Sequence, residues 1–170
     1  MADLASVYDE AAQDTSEWIA WDDPRRSFIQ IDTLFDETLP ALPVADDAAL
    51  GETVPPRPQA PRYSPAMLEW VEYAAFALFP TRKALATNTD AADQFVCYLI
   101  EYLVRNAGGL RFNVPGNGSP VYDGFGPSVC YNYASSVDNP VDMLLTISEH
   151  GEGFADDIIT RAEDCADSAT

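Results

Sequence analysis

"GGLRFNVPGNGSPVYDGFGPSVCYNY", residues 108–133, concentrates glycine, proline and aromatic residues between two segments of helical periodicity. Within it Leu110, Phe112 and Val114 alternate with Arg111 and Asn113, and Val129, Tyr131 and Tyr133 alternate with Ser128, Cys130 and Asn132. A period of two sends successive side chains to opposite faces, so both runs read as strands with one buried face. The intervening "PGNGSPVYDGFGP" is turn-rich and has room for a third short strand around Val121 and Tyr122. A hairpin set among helices makes the expected fold class α+β.

The spacing of Gly116, Gly118, Gly124 and Gly126 also invites comparison with a phosphate-binding loop. Such a loop needs backbone N–H groups converging at a helix N-terminus and usually a lysine for the terminal phosphate. Here prolines interrupt the glycines, no lysine follows, and the next element reads as a strand. The hairpin reading therefore stands, and no cofactor is expected.

Upstream, "DAADQFVCYLIEYLVRNAGG" is a helix with Thr89 or Asp90 as cap, Val96, Leu99, Ile100, Leu103, Val104 and Ala107 in register, and Gly108 or Gly109 as its stop. Before it, Ser64 and Pro65 open a helix to about Phe79, with Leu68, Val71, Ala75 and Leu78 inward, and Pro80 closes it. Downstream, Asn139 and Pro140 start a helix that "GEG" ends, and Phe154, Ile158, Ala162 and Cys165 mark one side of a last short helix. Near the N-terminus, residues 2–13 align Leu4, Val7, Tyr8 and Ala11. Asp23 and Pro24 open a second helix with Phe28, Ile31, Leu34 and Phe35 at helical spacing, although "SFIQI" also alternates like a strand. The expectation is four to six helices packed with a small antiparallel sheet of two to three strands. Residues 1–39 form an acidic helical segment, 40–64 a Pro-rich extended connector over the surface, and 65–170 the α+β core of what is one globular domain overall.

Charge is the strongest compositional signal: 28 acidic against 9 basic residues, Lys83 the only lysine, and a formal net charge of −19. Such a surface repels nucleic acid and anionic membrane and speeds encounter with a basic protein. A GC-rich coding bias or an organism-wide acidity accounts for the same composition without a partner. The first 20 residues carry acids where a secretory signal carries positive charge and an apolar run, so a cytoplasmic location is expected. Three cysteines without a CxxC pair indicate neither a disulfide framework nor a zinc site.

Candidate chemistry is sparse. His150 is the only histidine, and Ser128, Ser135 or Cys130 would have to meet it in space to make a nucleophilic site. At a helix C-terminus beside Glu149, a histidine has a sufficient structural role. Glu101 and Asp123 flank the hairpin as a conceivable acid–base couple. The pairs Asp22/Asp23, Asp46/Asp47 and Asp156/Asp157 lack calcium-loop spacing and read as caps or solvated acids, so no metal or catalytic residue is assigned. Tyr122, Asp123 and Phe125 combine aromatic rings with a charge at a turn, a composition enriched at protein interfaces, and with Asp46 and Asp47 they are the candidate partner contacts.

The helix "F-x-x-Y-L-x-E" ending at Gly-Gly, the "P-x-V-x-Y" strand and the "N-P-V-D" helix start resemble a pattern of small, largely actinobacterial domains of unknown function, some of them similar to immunity proteins of polymorphic toxin systems. The resemblance spans residues 88–148, and Ile100 stands where that pattern often has glycine. It implies an α+β architecture and no site residues. Together with the charge it leads to a non-enzymatic protein-binding domain, an immunity- or antitoxin-like inhibitor of a basic partner protein such as a toxin domain. That protein would have no direct contact with nucleic acid or membrane. The alternatives are a nucleic-acid mimic that blocks a DNA- or RNA-binding protein, a hydrolase using His150 or Glu101, and a housekeeping protein whose acidity is its organism's.

Overall fold

A computed structural model describes residues 8–46, 53–116 and 119–168. Among them lie eight α-helices and one three-stranded antiparallel sheet, an α+β arrangement as expected. The helices are α1 Glu10–Gln13, α2 Ser16–Trp21, α3 Pro24–Thr33, α4 Pro65–Leu78, α5 Arg82–Thr87, α6 Thr89–Ala107, α7 Pro140–His150 and α8 Ala155–Ser168. The two beyond the expected range, α2 and α5, are six residues each, too short for helical periodicity to emerge.

Helix α6 is the axis of the molecule. Every residue from Ala92 to Ile100 is buried, because α3, α7, α8 and the sheet all pack around it. A helix enclosed on all sides uses apolar residues all round rather than along one stripe. Gly108, at φ +60°, provides the left-handed turn that ends it.

The sheet, ordered β1-β2-β3, comprises β1 Leu110–Asn113, β2 Pro127–Cys130 and β3 Val137–Asp138. Leu110 faces Cys130 and Asn113 faces Pro127 across the first pair. The third strand is not at Val121 and Tyr122, which lie in the loop, but at Val137–Asp138 paired with Val129 and Cys130. The expectation of one buried face per strand also fails. All four residues of β2 are buried, and in β1 Phe112 and Asn113 are buried while Leu110 is half exposed. Strand β2 is covered by α6 and α7 and flanked by β1 and β3, while in β1 the reason lies in the N-terminal segment, which covers that strand's polar side. The Gln13 amide pairs with both the N–H and the C=O of Asn113 (2.7 and 2.8 Å), and the Asn113 side chain donates to Ala12 O at 2.9 Å.

In that N-terminal segment Ala12 is turned inward, whereas Tyr8 and Ala11 are exposed and Leu4 and Val7 lie outside the described residues. Trp18 and Trp21 are buried and stacked, centroids 5.4 Å apart. Asp23 caps α3 by accepting from Arg25 N at 2.8 Å, and the helix widens over Leu34–Thr38 into a π-helical turn that brings Leu34, Phe35 and Leu39 inward. Phe28, expected on the same face, is 52% exposed. The described parts of the Pro-rich connector are fastened to the core. Val54 is wholly buried and bridges to Val44, Trp70 Nε1 donates to Pro55 O at 2.6 Å, and Tyr98 OH donates to Arg62 O at 2.8 Å.

Candidate functional site

The densest polar cluster centres on Asp93, in the first turns of α6 and only 6% exposed. Its carboxylate accepts from Trp21 Nε1 at 2.8 Å, Gln30 Nε2 at 2.8 Å, Tyr122 OH at 2.6 Å and the Arg26 guanidinium. Four donors fill the lone-pair capacity of a carboxylate. Arg26 also reaches Cys97 Sγ at 3.5 Å and lies over the Trp21 ring. Burial, followed by the Asp93 charge, pushes the Cys97 thiol up to about 12 and the Tyr122 phenol well above its ordinary value. Both therefore stay protonated at neutral pH, and Cys97 is no thiolate nucleophile. The cluster ties α2, α3 and the hairpin loop to α6.

A second group surrounds Glu101, which pairs with Arg105 at 2.6 Å and Arg111 at 2.5 Å. Arg111 also reaches Asp22 Oδ1 (3.4 Å) and Ser27 Oγ (3.3 Å). Burial raises the Asp22 carboxyl, partly offset by Arg111. A cleft of about 290 Å³ opens here between α3 and β1, with Phe28 and Ile31 on its apolar side.

Tyr122, expected at a partner contact, is an interior residue whose hydroxyl serves Asp93 and whose ring meets Trp21 edge-on at 5.8 Å. Phe125 is half-buried and covers Trp21 and Tyr122, with centroids 6.3 and 4.9 Å away. Asp123, between them, and Asp46, in the connector, are exposed, and Asp47 lies outside the described residues. The five are not assembled into one patch by any described contact. His150 is exposed at the end of α7 with no hydrogen bond or ion pair among the described residues, while Ser128 is buried and donates to Gly126 O at 3.1 Å. Glu101 and Asp123 line different hollows. Among the described residues no three His, Cys, Asp or Glu side chains gather as metal ligands, and no helix is long and apolar enough to cross a membrane.

Sequence reasoning missed Asp93. The available signal was its position: Asp93, Val96, Cys97 and Ile100 share one stripe of α6, and an acid on an apolar stripe needs a partner. Its four partners stand 29 to 72 positions away in the chain, so no local pattern names them.

Compared with models of protein families, with curated proteins and with solved structures, the chain matches none.

Proposed function

We propose that this chain is a non-enzymatic protein-binding domain whose acidic surface occludes a basic partner protein, in the manner of an immunity- or antitoxin-type inhibitor. One observation carries the reading: the fate of the cations. Arg26, Arg62, Arg82, Arg105, Arg111 and Arg161, six of the nine basic residues, are in ion pairs with the chain's own carboxylates. Arg57 lies over the rings of Phe35 and Trp70. Seven of the nine basic residues are thus engaged within the fold, and apart from the exposed Arg25 and Lys83 the charged surface offered to a partner is predominantly carboxylate. A field of one sign accelerates encounter with an oppositely charged cleft and rejects like-charged competitors.

The test is capture of interacting proteins from the native host on the immobilised full-length chain at low salt, followed by assay of the captured protein. A basic protein that elutes as salt is raised, and whose activity equimolar chain suppresses, is the expected result. Recovery of no partner at low salt, or of one whose activity is unaffected, overturns the reading.

A further inference from the structure

Helices α7 and α8 leave a groove between them. Two hollows of about 250 and 340 Å³ share Asp138, Met143 and Asp157, so they run into one another along the helix pair. Phe154 and Ile158, both buried, form the floor, and the apolar surface open to a ligand is that of Val137 and Met143, both half-buried, the latter the more adaptable side chain. The rim is acidic. Asp157 and Asp164 stand seven residues apart on α8, roughly 10 Å along one helix face, and Asp142 lines the α7 side.

Arg161 is the one basic residue lining the two hollows, and it is already committed. Its guanidinium bonds Asp138 at 3.1 and 3.5 Å and lies over the Tyr131 ring at 5.0 Å, while the Tyr131 hydroxyl donates to Asp138 at 2.6 Å. Asp138 thereby has its partner within the fold, whereas Asp142, Asp157 and Asp164 are exposed and make no ion pair among the described residues. Burial pushes the Asp142 carboxyl above its ordinary value, although the residue as a whole stays exposed at the rim.

We infer that the α7–α8 groove is the docking surface for a basic partner, taking an apolar side chain of that partner against Met143 while its flanking arginines or lysines meet Asp142, Asp157 and Asp164. The inference rests on the proposed function and assigns it a place. Charge complementarity selects the occupant, since the rim opposes any anionic segment, and the apolar lining distinguishes this groove from the diffuse attraction of the whole surface.

The test uses the isotopically labelled full-length chain titrated with a short peptide of alternating arginine and leucine, with an all-arginine peptide and an all-glutamate peptide beside it. Amide resonances over residues 137–146 and 154–164 are expected to shift with the arginine–leucine peptide, more weakly with the all-arginine peptide, and not with the glutamate peptide. Neutralising the rim as Asp142→Asn, Asp157→Asn and Asp164→Asn is expected to weaken binding roughly tenfold or more, and Met143→Lys to do likewise with the rim intact. Neutralising Asp36 and Glu37, exposed on the π-helical turn, is the matched control and is expected to change little. Shifts scattered over the whole surface, or equal weakening by the control, overturn the groove while leaving the basic-partner reading in place. Absence of binding by both cationic peptides at low salt removes both.

Discussion

Asp93 shows how one residue can hold several elements. Replacing it with alanine strands the Trp21 and Tyr122 donors in the interior and takes the partner from Arg26 and Gln30, both half-buried. Each buried donor left unsatisfied costs about 1 to 3 kcal/mol, so Asp93→Ala, which leaves two, should lower the denaturant midpoint severely. Asp93→Asn, which keeps one acceptor oxygen, should lose less. Gly126 is a residue-scale constraint of another kind. A Cβ there would lie 2.2 Å from Val114 O, across the rung where Val114 N donates to Gly126 O at 2.9 Å. Gly126→Ala is expected to cost about 2 kcal/mol, typical of overpacking. Gly124→Ala, at φ +81° with open space around it, should cost about 1 kcal/mol from backbone conformation alone. Denaturation of the two variants separates steric from torsional demand within one loop.

At the scale of elements, α8 is held by a cap that does not belong to it. Glu72 of α4 accepts from Phe154 N at 2.5 Å and Ala155 N at 2.6 Å, satisfying N–H groups that the first turn of a helix leaves unpaired. Burial pushes the Glu72 carboxyl up despite these two donors. Loss of a helix cap costs typically about 1 kcal/mol. Glu72→Ala should therefore raise amide hydrogen exchange over residues 154–165 while leaving the centre of α6 protected. Equal loosening of both helices would show that α8 is not an independently docked unit. The helices opened by a chain-local cap and proline, α3, α4 and α7, were legible in the sequence because Asp23, Ser64 and Asn139 each bond the turn beside them. The start of α8 was less so, because its cap stands 82 positions away.

Across the whole molecule the excess of acid should appear in the dependence of stability on pH. Asp22, Glu72 and Asp142 are all raised, with burial the first cause in each. A carboxyl whose pKa is higher folded than unfolded binds more protons in the folded state, so stability falls as pH rises from the ordinary carboxylate value, about 4, through the folded value. Glu17, fully exposed, moves the other way through hydrogen bonds from its own backbone N–H and Ser16. The net expectation is that Tm rises as pH is lowered from neutral toward the ordinary carboxylate range. Repulsion at a formal charge of −19 adds to the effect. Raising ionic strength from about 0.01 to 0.15 M shortens the screening length from about 30 to about 8 Å, and should raise Tm more at the higher pH. Thermal scans over pH and salt check this, and a Tm that falls on mild acidification contradicts it.

The sequence by itself determined the class α+β, the net charge, the hairpin from Leu110 to Cys130, the starts of α3, α4 and α7 and the end of α6 at Gly108. Each of these depends on interactions within a few residues or on composition alone. The second strand stops at Cys130 short of Tyr131 and Tyr133, and α6 follows Asn88 without the side-chain cap expected of Thr89 or Asp90. The tertiary structure alone decided that the third strand is Val137–Asp138, that β2 is buried on both faces, that Tyr122 points inward and that Asp93 binds four donors. These depend on segments far apart in the chain meeting around α6. Local periodicity records which residues share a face of one element, but not which other element will cover it.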